Sequence, residues 1–237
     1  MKTFFINNRG FVSIEERCPG CWVNIECPDS DDSKYLIDEL QIPVSFLNDI
    51  EDIDERPRLE DEDGWYMIII RIPYKSDNGL QFSTVPMGIL FKDNVLATVC
   101  HYKTELIDDF ILYTQRKQVK IEDGYDLVLR LLLSSSVWYL KYLKQINTNI
   151  KNAEQELKES IKNRELQKLL QIEKCLVFFI TSLKGNSLLF HKLYVAKSLK
   201  KSYDEEIIED VEIELKQALE MSNIYSDILS GLMDAYA

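Results

Sequence analysis

Two runs of carboxylates are the residues of this sequence best suited to chemistry. The first extends from Asp49 to Glu55 and the second from Asp204 to Glu214. Mg²⁺ and similar hard cations take oxygen ligands, and Mg²⁺ often keeps its waters while one or two carboxylates hold it from outside. Because the two runs lie in separate elements, two alternatives remain: a cation site, or two acidic faces that are simply solvated.

Three of the five cysteines lie close together near the N-terminus. The spacing Cys18-Pro-Gly-Cys21 could hold half a zinc site or form a redox pair. A complete zinc site needs two further ligands, but Cys27 adds one thiol and neither His101 nor His191 is near in sequence. We therefore expect free thiols and no bound zinc.

Other catalytic patterns are absent from the sequence. Two histidines without partner spacing do not predict a histidine-based active site. Ser134, Ser135 and Ser136 have no Gly-x-Ser-x-Gly elbow around them, and we interpret them as small packing residues in a helix. There is no P-loop and no Gly-x-Gly-x-x-Gly. The sequence gives no support for an enzyme.

Composition limits the partners that this chain can have. It has 237 residues, of which 46% are apolar, enough for a real core. A net charge of −12 argues against binding to nucleic acid or to an anionic membrane surface. No apolar run reaches the roughly eighteen residues of a membrane span, and no signal peptide is visible. The stretch itself is expected to be soluble, in a reducing compartment.

Glycine and proline divide the chain into two unlike halves. All six prolines precede Gly88, and only Gly124, Gly185 and Gly231 follow it. The first half is therefore punctuated by loops, and the second is nearly uninterrupted helix. We predict an α/β domain over residues 1–118, a long antiparallel helical pair over 119–203 and a final helix over 204–237.

Local patterns predict the individual elements. Strands are expected at Thr3–Ile6, Gly10–Ile14, Trp22–Ile25, Trp65–Ile72, Phe82–Phe91 and Val95–Val99, with no strand after Gln118. A hairpin turn is expected at Asp77–Gly79 and a helix break near 200–203. Helices are expected after the capping cluster at Asp29, at Pro43–Ile50, Thr104–Arg116, Tyr125–Asn163 and Glu165–Ser198.

The final helix carries a regular seam. Its members are spaced alternately by three and four residues: Ile208, Val211, Leu215, Ala218, Ser222, Tyr225, Leu229, Leu232 and Tyr236. Such a helix either packs on its own domain or forms a coiled-coil stalk with copies of itself. It reaches Ala237 without a capping glycine or proline, so we expect it to continue into a further segment.

Three stretches resemble the CorA family of divalent-cation channels. Pro43 to Ile50 with Glu55 to Arg58 resembles the family's P-L-x-x-E-D-I and R-P-K, and Trp22 to Ile25 resembles its W-I-N-I strand. Asp227 to Tyr236 resembles the D-I-x-S-G-L-x-D-x-Y that ends the family's stalk helix before the first membrane span.

The resemblance implies a fold and an assembly. The fold is an α/β/α sandwich with a mixed sheet, followed by long antiparallel helices and a C-terminal stalk helix. The assembly is a homopentamer, anchored in the inner membrane through spans beyond this stretch, which itself lies on the cytoplasmic side. The implied ions are divalent: Mg²⁺ first, then Co²⁺, Ni²⁺ or Zn²⁺.

The resemblance also implies site residues. Asp49 and Asp210 would bind a regulatory cation between neighbouring subunits, and Asp234 would lie near the pore mouth. The family's second interfacial site corresponds to Asn48 and a position near Leu133, which are not acidic here. The leading hypothesis is an ion-sensing domain of a magnesium channel, in which bound metal favours the closed state. Alternatives are a zinc or other transition-metal transporter of the same fold, and a soluble coiled-coil scaffold.

Overall fold

A computed structural model describes residues 1–76, 82–159, 163–195 and 205–236. The strands in these ranges are β1 (Lys2–Asn7), β2 (Phe11–Ile14), β3 (Trp22–Glu26), β4 (Arg58–Glu62), β5 (Trp65–Lys75), β6 (Phe82–Lys92) and β7 (Val95–Cys100). The helices are α1 (Ser30–Lys34), which continues as a π-helical turn (Tyr35–Glu39), α2 (Val44–Glu51), α3 (Glu105–Lys117), α4 (Gly124–Glu159), α5 (Asn163–Val195) and α6 (Glu205–Tyr236). The predicted turn at Asp77–Gly79, the predicted break near 200–203 and the carboxylate Asp204 fall outside the described residues.

The strands form one mixed sheet in the order β2-β1-β3-β7-β6-β5-β4. The pairing of β3 with β7 is parallel, and the other five pairings are antiparallel. Every residue of β3 is buried, which is expected of a central strand covered on both faces. The mixed sheet and the absence of any strand after β7 within the described ranges agree with the sequence prediction.

Helices α1 and α2 cover one face of the sheet. Asp29 caps α1 as predicted, with its side chain accepting from the main-chain N–H groups of Asp31 and Asp32. Phe46 and Ile50 of α2 are fully buried against this face. A Cβ at Gly88 of β6 would lie 2.2 Å from Ile50 Cδ1, so glycine is what allows α2 to approach the sheet.

The long helices cover the opposite face. Trp22 of β3 packs against Phe110 of α3 with ring centroids 6.1 Å apart, and Tyr139 of α4 packs edge-on against Phe179 of α5. Helix α6 then packs on α4 and α5. The architecture is therefore the predicted α/β/α sandwich with long helices extending from it.

The seam of α6 lies against its own chain. Seven of its nine members are buried, and the last two, Leu232 and Tyr236, are partly exposed but still contact the same core. Since α4 and α5 supply the other side of this contact, the first alternative is correct. The alternative in which α6 also forms a coiled-coil stalk with copies of itself stays a prediction.

Two local details differ from the sequence prediction. Strand β4 was not predicted, because Arg-Leu-Glu-Asp-Glu has little apolar content; it lies at the sheet edge, where charged residues are tolerated. Pro43 is the N-cap of α2 and not its first helical residue, because its ψ of 132° is extended and a helical residue needs a negative ψ.

Smaller features bear on the remaining sequence predictions. The five cysteines, including Cys18, Cys21 and Cys27, are free. Ser135 and Ser136 are buried in α4 and donate to the carbonyl of Leu132, as packing residues do. In the part of the chain that the structure describes, no helix is long and apolar enough to cross a membrane.

Candidate metal centre

Asp49 lies near the end of α2 in a cluster of charged side chains. Its Oδ2 accepts from Nη2 of Arg58, the first residue of β4, over 2.6 Å. The Arg58 Nε donates to Glu60 over 3.0 Å, and its Nη1 pairs with Glu55. A single guanidinium therefore joins carboxylates from α2, from the loop that follows it and from β4.

The charges in this cluster are not balanced. Partial burial is the largest effect on Asp49 and raises its pKa above the ordinary range; Arg58 acts in the other direction, while Glu55 and Glu60 reinforce the rise. The close ion pair alone would lower the pKa, so one guanidinium is outweighed by desolvation and two like charges. A further cation near Asp49 would therefore be electrostatically favoured.

Arg71 holds in place the loop of residues 52–57, which joins α2 to β4 and is called the Asp49 loop below because it follows the helix that carries Asp49. Its guanidinium, reaching out from β5, donates to the main-chain carbonyls of Ile53 and Glu55, and also to the carbonyl and hydroxyl of Thr84. Burial lowers the pKa of Arg71 below its ordinary value, and no carboxylate among the described residues forms an ion pair with it. The loop is thus held by hydrogen bonds to its backbone, whatever its side chains are.

The backbone of Arg71 is in turn bonded to the long helices. Its N–H donates to Asn186 Oδ1 over 2.9 Å, and its carbonyl accepts from Asn186 Nδ2 and from the Tyr139 hydroxyl. Pro57 packs beside Gly185 of α5, where a Cβ would lie 2.9 Å from the proline ring. A continuous set of contacts therefore joins the Asp49 loop to α4 and α5.

Asp210 and Asp234 are both exposed on α6. Asp210 follows Glu205 and Glu206 in the first turns of the helix, where the helix dipole favours negative charge. Helix α2 covers one face of the sheet, whereas α6 packs on helices that cover the other. Within one chain, Asp49 and Asp210 therefore belong to helices on opposite sides of the sheet.

The donors present fit a hard cation only in part. Carboxylate oxygens are the ligands that Mg²⁺ and Ca²⁺ prefer. However, no group of three His, Cys, Asp or Glu side chains suitable for a metal is found among the described residues. At the second predicted site, Asn48 is exposed and Leu133 is partly buried, so neither supplies a carboxylate. Any ion held at Asp49 would need ligands from water or from another chain.

Sequence reasoning found Asp49 and Asp210 only through the family resemblance, and it missed the groups that hold the loop of residues 52–57 after Asp49. Arg71 and Asn186 belong to no motif: Arg71 lies in an apolar strand, and Asn186 stands among polar and small residues of α5. The one available signal was the polar Arg71 within a strand that is otherwise mostly buried, since buried polar groups almost always have partners.

Known proteins are similar to this chain in sequence and in fold. A family model described as CorA-like Mg²⁺ transporter protein matches residues 20–237. The cobalt/magnesium transport protein CorA of Methanocaldococcus jannaschii is 26% identical over 219 residues, which are 90% of this chain and 68% of that protein.

Solved structures agree with that match. The complete CorA magnesium transporter from the same organism superposes with a TM-score of 0.85 at 23% identity, covering 100% of this chain and 76% of the other. Its soluble domain gives 0.84 at 24% identity, with 98% and 95% covered. The ZntB cytoplasmic domain from Vibrio parahaemolyticus gives 0.75 at 12% identity, with 100% and 96% covered, which shows a shared fold. Because the family model spans nearly the whole sequence, this chain belongs to the CorA-like Mg²⁺ transporter family.

Proposed function

We propose that this chain is the cytoplasmic, ion-sensing part of a CorA-like divalent-cation channel that works as a homopentamer. A cation bound between Asp49 of one subunit and Asp210 of its neighbour favours the closed state. The family match over residues 20–237 carries this proposal, because it covers both aspartates and the helix that joins one of them to the membrane in the family.

The geometry of the single chain supports a shared site. Asp210 is exposed and Asp49 keeps 32% of its side chain accessible, so both carboxylates can meet another subunit. Each lies on its own side of the sheet, and neither has enough neighbouring ligands among the described residues to bind a metal alone. Two incomplete half-sites are what a sensor of subunit arrangement requires, since the cation then binds only when two chains approach.

The expected energy is adequate for switching. Without metal, two facing carboxylates about 6 Å apart repel by roughly 3 kcal/mol at an effective dielectric constant near 20. This repulsion, repeated at each interface of a ring, is large enough to shift a closed-to-open equilibrium. The transported ion would then inhibit its own entry, because it also stabilises the closed arrangement.

The test uses the complete transporter that contains this chain, reconstituted in vesicles. Asp49→Asn and Asp210→Asn each remove one half-site and should leave Mg²⁺ flux intact while weakening its inhibition by Mg²⁺ on the cytoplasmic side. Asp31→Asn is the matched control, because Asp31 is an exposed aspartate of α1 with a side chain 89% accessible. If both site variants close at the same Mg²⁺ concentration as wild type and control, the sensor assignment is wrong.

Transport of zinc or another transition metal is a second candidate, favoured by the fold shared with the ZntB cytoplasmic domain. The oxygen donors at Asp49 and Asp210 suit a hard cation better than a borderline one. Flux measured with Mg²⁺, Co²⁺, Ni²⁺ and Zn²⁺ in the same vesicles separates the two candidates. Family membership argues against the third hypothesis, a scaffold without any role in transport.

A further inference from the structure

Arg58 makes an unusual set of contacts for a surface arginine. Three of its guanidinium nitrogens are bonded to three different carboxylates: Nη2 to Asp49, Nη1 to Glu55 and Nε to Glu60. The arginine side chain is 30% accessible, and those of its partners range from 18% to 43%. One positive and three negative groups leave the cluster with a net charge of −2, which is the charge that a divalent cation would neutralise.

The guanidinium and a metal ion would compete for the same carboxylate. Asp49 Oδ2 is 2.6 Å from Arg58 Nη2, which leaves no room for a cation or its bound water between them. A metal placed on this carboxylate would also be repelled by the guanidinium. Arg58 does not need Asp49, however, because Glu55 and Glu60 would still hold it after the exchange.

We propose that Arg58 is a tethered competitor for the cation at Asp49. In the metal-free state the guanidinium occupies Asp49 Oδ2, and a divalent cation takes that oxygen only by displacing it. Arg58 thereby sets the cation concentration at which the sensor responds and keeps the site from filling at low concentrations. This inference rests on the proposed role of Asp49 and goes beyond it by assigning to Arg58 the control of the cation affinity of that carboxylate.

The test measures metal binding directly. The complete transporter is purified in detergent, and its thermal unfolding is followed while Mg²⁺ is titrated; the readout is the Mg²⁺ concentration that gives half of the maximal stabilisation. Arg58→Gln removes the charge but keeps a hydrogen-bond donor, and it should lower this concentration at least tenfold, or about 1.4 kcal/mol in binding free energy. Arg58→Met should behave in the same way and serves if the first variant folds poorly.

Arg56→Met is the matched control, because Arg56 is exposed in the same loop and carries the same charge. An equal shift in the Arg56 and Arg58 variants would mean that only the general charge of the loop matters, and it would overturn the proposal. An unchanged concentration in both Arg58 variants would also overturn it. Guanidinium ¹⁵N spectra of the unsubstituted protein give an independent readout: the Arg58 signals should move as Mg²⁺ is added, and fixed signals would contradict the exchange.

The Asp49→Asn variant distinguishes a failure of the competitor role of Arg58 from a failure of the sensor role of Asp49. If Asp49→Asn leaves the Mg²⁺ response unchanged, the sensor assignment itself has failed. If Asp49→Asn weakens the response while both Arg58 variants leave it at the wild-type concentration, the sensor stands and the competitor role is wrong. In the double variant Asp49→Asn with Arg58→Gln, the gain from Arg58→Gln should be lost.

Discussion

Arg71→Met should detach the Asp49 loop from the sheet while leaving the sheet itself intact. The substitution keeps a flexible apolar side chain of similar length and removes the guanidinium that donates to the carbonyls of Ile53, Glu55 and Thr84. The main-chain bonds of Arg71 to Asn186 do not involve the Arg71 side chain, so they remain. The variant therefore tests the loop clamp separately from the contact with α5.

The size of the effect follows from the hydrogen bonds that the substitution removes. A hydrogen bond to a charged group contributes about 1.5–3 kcal/mol, and three carbonyl acceptors no longer receive such a bond. Against this stabilisation stands the desolvation of a guanidinium without a carboxylate partner, which costs several kcal/mol. We expect the free energy of unfolding to fall by about 2–4 kcal/mol as the difference.

Urea unfolding at pH 7, followed by far-UV circular dichroism, measures this change. Lys75→Met is the matched control: it removes a positive charge from the same strand, where Lys75 is partly buried and donates to Gln145 in a solvent-exposed hydrogen bond, and it should change stability by less than about 0.5 kcal/mol. Hydrogen exchange should also become faster at amides 52–56 in the Arg71 variant alone. A stability loss equal to that of the control, with unchanged exchange in this loop, would refute the clamp.

Two further predictions concern packing and ionisation. Gly88→Ala should destabilise the fold by about 1–3 kcal/mol in the same urea assay, because its Cβ would collide with Ile50 and push α2 outward; wild-type stability would show that α2 does not approach so closely. Burial raises the pKa of Cys100 from 9.0 to about 12, so its stabilising contribution is complete below pH 9 and is lost as the pH rises from 9 to 12. Between pH 8 and 10 the wild type should therefore lose about 1.4 kcal/mol more stability than Cys100→Ala, and equal losses would contradict the burial of this thiol.

The sequence was informative wherever one local rule determined the outcome. Apolar β-branched runs predicted β5, β6 and β7, and the missing prolines predicted the long helices after Gly124. Capping at Asp29 was predicted because a side chain and the two amides it accepts from are close neighbours in sequence. Such rules act over a few residues, so a single sequence contains all the information they need.

Contacts between residues far apart in sequence could not be predicted by such local rules. The seam of α6 has the same spacing whether its partner is another chain or α4 and α5, and only the packed structure distinguishes the two cases. Likewise, Arg71 and Asn186 are 115 positions apart, and nothing in either local sequence indicates that they bond. Arg58, the partner of Asp49, is only nine positions away, yet this contact was not predicted either. Arg58 lies in β4, whose charged sequence gave no indication of a strand.

The central claim, that Asp49 and Asp210 of neighbouring subunits hold one cation, is tested most directly by a double-mutant cycle. Asp49→Asn, Asp210→Asn and the double variant are compared in the complete transporter by the Mg²⁺ concentration that half-inhibits flux. If the two carboxylates share one ion, the double variant should be no worse than the more severe single variant, because the first substitution already destroys the site. Shifts that multiply in the double variant would show two independent effects and would contradict the shared site.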